Sequence, residues 1–146
     1  PARPGEDEAL SRLCLRSNAY WGYDAAFMAA VSPYLKVTPD AIEAGYTTVA
    51  EAEDGTLLGV CQIDPDGHGG TLDLLFIAPE AIGSGVGRAL FEHAKDQLRA
   101  RGDTVMTILS APYAEPAYLH MGARRVAMRP SDVFKDRELP WLEVAL

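Results

Sequence analysis

The chain has 146 residues, enough for one domain with a substantial hydrophobic core. Hydrophobic residues make up 48% and charged residues 23%, as in ordinary soluble proteins, and no apolar run approaches the roughly 20 residues of a membrane-spanning helix. The net charge of −8 disfavours nucleic-acid binding and slightly favours a cationic ligand over an anionic one, unless the acidity serves only solubility.

The first ten residues, PARPGEDEAL, lack the basic and then apolar layout of a signal peptide, so we expect a cytoplasmic protein. Cys14 and Cys61 are the only cysteines, and their spacing fits neither a metal site nor a redox motif. We therefore expect two buried thiols rather than a disulfide or a catalytic nucleophile.

The first third of the chain is predicted to be helical. Leu10, Leu13 and Cys14 recur at helical spacing after acidic residues that suit a helix N-terminus. A second helix fits residues 23–31. A short third helix is predicted from the cap at Thr38 to Gly45.

Three strands are predicted to follow. Residues 47–53 alternate in polarity and end at Asp54-Gly55, a hairpin signal, and residues 57–64 form the return strand. Residues 71–77, TLDLLFI, are almost continuously apolar, which is typical of a strand in the middle of a sheet.

The remaining pattern predicts a helix that ends at Gly102 and a strand over 104–110, parallel to the third strand by a right-handed crossover. A short helix over 115–121 and strands over 123–129 and 139–146 complete the chain. This order predicts a mixed α/β fold, a single domain over residues 1–146, with a central sheet flanked by helices.

Three glycines, Gly83, Gly85 and Gly87, stand at alternate positions where the long helix begins. Helix N-termini leave backbone N–H groups unpaired, and glycine lets a phosphate approach them closely. Ser84 and Arg88 could add further donors. The segment therefore predicts a phosphate-binding loop, with a flexible packing loop as the alternative.

Residues that are missing from the loop argue against two common classes of phosphate ligand, nucleoside triphosphates and dinucleotides. A nucleoside-triphosphate loop would need a lysine followed by a hydroxyl residue. A dinucleotide fingerprint would need a third glycine where Arg88 stands, although Asp103 lies at a suitable distance downstream. A nucleotide-binding redox domain therefore stays open as an alternative.

The segment FIAPEAIGSGVGRAL resembles the central motif of the acetyl-CoA-dependent GNAT superfamily. In that family a strand ending in V-x-P leads to [Q/R]-x-x-G-x-[G/A] and then to a helix. Here Ile77-Ala78-Pro79 and Gly85-Val86-Gly87 match that pattern, and Ile82 departs from it where glutamine or arginine is common.

A second segment, APYAEPAYLHMGARRV, resembles the family's N-x-N-A-x-x-F-Y-x-x-x-G-F motif. Ala114, Tyr118 and Gly122 match, whereas the asparagine positions hold Ala111 and Tyr113. Together the two motifs imply a GNAT-like α/β fold and an N-acetyltransferase that uses acetyl-CoA as acyl donor. Family habit also implies a homodimer.

The resemblance assigns roles along the chain. It implies that Tyr118 lies at the thioester sulfur and acts as general acid toward the leaving thiolate, with an aromatic packed under a short helix as the alternative. Proton transfer from a phenol of pKa about 10 to a thiolate whose thiol has a pKa of about 8.5 is uphill by about 2 kcal/mol. A hydrogen bond to the sulfur is therefore enough unless the pKa of Tyr118 is lowered. It further implies that acetyl-CoA contacts the strand, the glycine loop and the second motif through Leu75, Phe76, Ile77, Ile82, Gly83, Ser84, Gly85, Val86, Gly87, Arg88 and Tyr113.

The attacking amine must lose a proton to a base or a water relay. The family often places a glutamate on the strand before the loop, but that position holds Thr71. Asp73 lies two residues further on and is therefore expected on the same face of the strand. We predict Asp73 as base or ammonium anchor, with a structural ion pair or a capping role as alternatives.

Aromatic residues cluster near the end of the first helix, in the region that covers the acceptor in the family. They are candidates for stacking on the substrate, with helix packing as the alternative: Tyr20, Trp21, Tyr23 and Phe27. The acceptor is expected to be a small-molecule or peptide amine. His68, His93 and His120 have no metal-ligand spacing, and no metal, membrane or nucleic-acid partner is expected. A non-catalytic acyl-CoA sensor is the alternative to an enzyme.

Overall fold

The computed structural model describes residues 1–20, 25–64, 70–131 and 137–146. Its helices are α1 (Asp7–Ala19), α2 (Ala25–Val31), α3 (Pro39–Glu43), α4 (Val86–Ala100) and α5 (Glu115–His120), with short 3₁₀ turns at Ser32–Leu35 and Pro79–Ala81. Its strands are β1 (Thr47–Glu51), β2 (Leu57–Ile63), β3 (Leu72–Ile77), β4 (Val105–Leu109), β5 (Arg124–Pro130) and β6 (Glu138–Ala145). The predicted order of helices and strands is confirmed.

Local signals in the sequence explain where several of these elements begin and end. Thr38 caps α3 by accepting a hydrogen bond from the Ala41 N–H at 3.2 Å, and Pro39 opens the helix. Between β1 and β2, Asp54 accepts a hydrogen bond from the Thr56 N–H at 2.9 Å, and Gly55 has a φ of +88°. The predicted helix cap at Thr38 and the predicted hairpin turn at Asp54-Gly55 are therefore both confirmed.

The strands form two three-stranded antiparallel sheets, ordered β1-β2-β3 and β4-β6-β5. The sheets meet at one parallel bridge between Thr71 and Thr107, where the Thr107 N–H donates to the Gly70 carbonyl at 2.7 Å. Among the described residues, every other strand pairing is antiparallel. This topology contradicts the dinucleotide-binding alternative, which requires a doubly wound parallel sheet.

The meeting point of the sheets depends on Gly70. A Cβ atom at this position would lie 2.2 Å from the carbonyl oxygen of Val105, so only glycine allows the chains to approach this closely. Beyond the bridge, β3 continues beside β2 and β4 beside β6. The two strands therefore leave a wedge between the sheets on the side of their C-terminal ends.

Helices cover both faces of this framework. On one face, α4 buries four residues in a cluster with Met106 and residues of both sheets: Leu90, Phe91, Ala94 and Leu98. Gly59 on β2 lets α4 lie close to the sheet, because a Cβ there would be 2.9 Å from a methyl carbon of Leu90.

On the opposite face, α1 packs Leu10, Leu13 and Cys14 against a second cluster that contains Val60 and Leu74. Cys14 and Cys61 are free, buried thiols, as predicted, and burial raises the pKa of each from 9.0 to about 12. Within the described part of the chain, no helix is both long and apolar enough to cross a membrane.

Candidate functional site

A cavity of about 390 Å³ opens at the C-terminal end of β3, on the side of the wedge. Its lining combines the end of β3, the glycine loop, α1 and the segment around α5. Ten of the predicted site residues line it: Leu75, Phe76, Ile77, Ile82, Gly83, Gly85, Gly87, Arg88, Tyr113 and Tyr118. Residues separated by more than forty positions are thus brought to one place, within the size range of small-molecule sites.

The glycine loop presents backbone amides to this cavity. Gly83 and Gly85 have φ values of +83° and +91°, a left-handed conformation that disfavours side chains. The first helical hydrogen bond of α4 runs from the Ala89 N–H to the Gly85 carbonyl at 3.1 Å. The preceding amides, from Val86 to Arg88, have no acceptor within the helix and can bind an anion.

Two predicted loop residues do not line the cavity. The Ser84 hydroxyl donates to the Ala81 carbonyl instead. The Val86 side chain lies over the sheet, where a Cβ on Gly59 would be 3.0 Å from one of its methyl groups. Their backbone contribution to a ligand stays a prediction.

The edge of β3 that faces the wedge offers two more amides. The Ala78 N–H donates to the Leu58 carbonyl on β2 at 2.8 Å. Because N–H groups alternate in direction along an antiparallel strand, those of Leu75 and Ile77 point away from β2 and towards the wedge. They are positioned to donate to a carbonyl oxygen in the cavity.

Tyr118 is the buried phenol of the site. Its ring packs against Phe91 of α4 with 6.0 Å between ring centroids, and only 8% of the residue is exposed. Burial raises its pKa above the usual value of 10.0, and the proximity of Tyr113 and Cys61 raises it further. The phenol is therefore a hydrogen-bond donor and a poor proton source.

The segment that carries Tyr118 is anchored from outside the cavity. Arg125 on β5 makes two hydrogen bonds to the carboxylate of Glu115, in the first turn of α5. This pair lowers the pKa of Glu115, chiefly through the hydrogen bonds from Arg125. The pair, which the sequence motif did not reveal, fixes the start of α5 against β5.

Asp73 lies outside the residues that line the cavity. Leu72 pairs with Ile63 and Leu74 with Gln62, so Asp73 is an extra residue in a bulge, which interrupts the alternation assumed in its prediction. Its carboxylate accepts a hydrogen bond from the Gln62 amide at 3.1 Å, and Gln62 accepts one from Thr47 at 3.0 Å. The role of Asp73 as base or anchor stays a prediction.

The predicted substrate aromatics are only partly described. Tyr20 lies at the end of α1, 57% exposed and outside the cavity lining. Trp21 and Tyr23 lie outside the described residues. Phe27 belongs to α2, but its side chain is outside the described part.

Sequence patterns missed several residues that complete the lining: Ser17, Ala81, Ala114, Ala117, His120 and Met121. Ser17 comes from the buried face of α1, and no local pattern indicates that this helix reaches the wedge. The described lining contains Arg88 and His120 but no carboxylate, although the chain carries a net charge of −8. The cavity therefore favours an anionic ligand.

Comparisons with known proteins agree with this geometry. The family model described as acetyltransferase (GNAT) domain matches residues 8–135. A GCN5-related N-acetyltransferase from Rhodopseudomonas palustris has a similar fold, with a TM-score of 0.82 at 16% identity over 100% of this chain and 93% of that chain. PaiA N-acetyltransferase from Thermoplasma acidophilum, solved in complex with coenzyme A, has a TM-score of 0.81 at 14% identity, over 99% of this chain and 96% of that chain.

A third structure, nourseothricin acetyltransferase, is 28% identical over 68% of this chain and 64% of that chain, with a TM-score of 0.55. The first two likenesses, at their low identities, concern the fold alone. No curated protein matches the sequence significantly.

Proposed function

Because the chain belongs to the GNAT acetyltransferase family, we propose that it transfers an acetyl group from acetyl-CoA to a primary amine by direct attack in a ternary complex. One observation carries the proposal: the glycine loop and Tyr118 line the same cavity. Coenzyme A has an anionic diphosphate and, at the end of its pantetheine arm, a thiol. The amides of the loop suit the diphosphate, and the phenol suits the sulfur.

The acyl transfer then uses groups on both sides of the wedge. The amine nitrogen attacks the thioester carbonyl carbon, a C–N bond forms and the carbonyl oxygen becomes negative. Amides of Leu75 and Ile77, which point into the wedge, stabilise this oxyanion. Collapse of the intermediate breaks the C–S bond and releases the thiolate of coenzyme A.

Tyr118 stabilises the leaving thiolate by donating a hydrogen bond to it. Its raised pKa makes full proton transfer to sulfur more uphill than for an ordinary phenol. A buried donor beside the sulfur lowers the barrier without a proton transfer. The ammonium proton of the acceptor goes to Asp73 or to water.

The test is Tyr118→Phe, which removes the hydroxyl and keeps the ring against Phe91. We expect turnover to fall about 100-fold while the affinity for coenzyme A stays within about twofold. Release of free thiol across a panel of amines measures turnover, and calorimetry measures affinity. Tyr46→Phe is the matched control, because that ring lies outside the cavity, beside the Arg101 guanidinium. Unchanged turnover in Tyr118→Phe would remove Tyr118 from the mechanism.

A second candidate is a non-catalytic acyl-CoA sensor. It is favoured by the lack of a carboxylate among the described lining residues and by Thr71, whose hydroxyl lies 3.1 Å from that of Thr107. Binding of acetyl-CoA without thiol release for any amine, or for water, would favour the sensor over the enzyme.

A further inference from the structure

We propose that Tyr113 closes the acyl end of the cavity and restricts the donor to short acyl groups. The inference rests on the proposed function and specifies which thioester the site accepts. It makes Tyr113 a specificity-determining residue and assigns Asn18 as the residue that positions it.

The first observation is a hydrogen bond across the cavity wall. The Tyr113 hydroxyl, on the turn before α5, donates to the side-chain carbonyl of Asn18 on α1 at 2.9 Å. The two residues are 95 positions apart in sequence. Since Tyr113 lines the cavity, this bond fixes its ring between α1 and the α5 segment.

Asn18 is itself held in place. It is buried, and its amide group lies 3.6 Å from the sulfur of Met28 on α2, within donor range of that weak acceptor. A buried amide with both ends engaged has little freedom to rotate. The phenol of Tyr113 is therefore bonded to a fixed acceptor, and its ring forms a firm boundary.

The second observation is the direction of the cavity. The cavity is lined by the glycine loop at the start of α4, by Tyr118 on α5, and by Ser17, which is next to Asn18 on α1. In the arrangement proposed above, the diphosphate binds the loop, the sulfur lies at Tyr118 and the acyl group faces the α1 wall. Tyr113 and Asn18 join the walls at that end.

Because Tyr113 forms a fixed wall, the site should select acyl donors by the length of the acyl chain. Each methylene beyond acetyl must either displace the Tyr113 ring, which breaks its bond to Asn18, or pack without enough room. A pocket discriminates by about 10-fold or more when an added group cannot be accommodated. The exclusion concerns the acyl group alone, so free coenzyme A should not sense Tyr113.

Binding of three probes tests the proposal without an acceptor amine: coenzyme A, acetyl-CoA and hexanoyl-CoA, titrated by calorimetry. We expect the wild type to bind acetyl-CoA about 10-fold or more tightly than hexanoyl-CoA, and Tyr113→Ala to bind the two within about threefold. Asn18→Ala should reduce the discrimination partly, because it frees the ring without removing it. Tyr46→Phe should leave the ratio unchanged.

Equal wild-type affinity for the two thioesters, or an unchanged ratio in a folded Tyr113→Ala, would overturn the inference. If Tyr113→Ala does not fold in thermal unfolding, Tyr113→Leu replaces it, since leucine keeps an apolar wall but is too short to reach Asn18. Failure of the wild type to bind coenzyme A itself would instead refute the proposed function.

Discussion

Gly85 and Gly87 stand two residues apart in the glycine loop, yet a methyl group would have opposite effects at the two positions. Gly85 precedes α4 with a φ of +91°, where an L-residue costs about 1–2 kcal/mol. Gly87 lies inside the first turn of α4, and a Cβ there would be 3.6 and 3.7 Å from carbon atoms of Ile77, an ordinary contact distance. The backbone conformation therefore favours glycine at the first position and tolerates alanine at the second.

The stabilities of the two variants follow from these geometries. Gly85→Ala should lower the free energy of unfolding by about 1–2 kcal/mol, which for a chain of this length lowers Tm by about 3–6 °C. Gly87→Ala should raise it by about 0.5–1 kcal/mol, or about 2–3 °C, because alanine favours the helix and restricts the unfolded chain. Thermal unfolding of the two variants beside the wild type measures both shifts.

Measuring the affinity for coenzyme A separates the effect of each substitution on binding from its effect on stability. In Gly85→Ala, relief of the strained φ turns the amides from Val86 onward, so we expect affinity for coenzyme A to fall about 10-fold, or about 1.4 kcal/mol. The methyl group of Gly87→Ala faces Ile77, and affinity should stay within about twofold. Calorimetric titration measures both affinities at a temperature where each variant is folded.

Two results would refute this reasoning. Full affinity in a folded Gly85→Ala would show that the left-handed turn does not orient the binding amides. An equal loss of affinity in both variants would show that the ligand approaches the Cα of Gly87 more closely than the contact with Ile77 implies.

Two further predictions concern the framework that holds the site. Gly70→Ala places a methyl group 2.2 Å from the Val105 carbonyl oxygen and should lower the free energy of unfolding by about 3 kcal/mol; a urea titration that matches the wild type would contradict this. Burial raises the pKa of Cys14 and Cys61 from 9.0 to about 12, so above pH 9 the thiols ionise in the unfolded chain but stay protonated in the folded one. The free energy of unfolding should therefore be unaffected by the two thiols below pH 9 and fall above it, by about 1.4 kcal/mol per pH unit for each thiol. Urea titrations at pH 8 and pH 10 measure this fall, and Cys14→Ala should make it smaller. Equal free energies of unfolding at the two pH values would contradict the prediction.

The sequence determined the features that depend on neighbouring residues. The cap at Thr38 and the hairpin at Asp54-Gly55 are local requirements of the backbone, and both were found where predicted. The two motifs, with Leu75 just before the first, likewise supply ten residues of one cavity, because they flank a helix–strand crossover whose length fixes their separation.

Tertiary structure alone decided the features that depend on pairing across the chain. The bulge that carries Asp73 arises from the register of β3 against β2, and hydrophobic alternation along β3 gives no sign of it. The bond between Tyr113 and Asn18 joins residues 95 positions apart, and Ser17 reaches the cavity only because α1 packs over the wedge. Such contacts are set by how separate elements meet, and that depends on the packing of the whole chain.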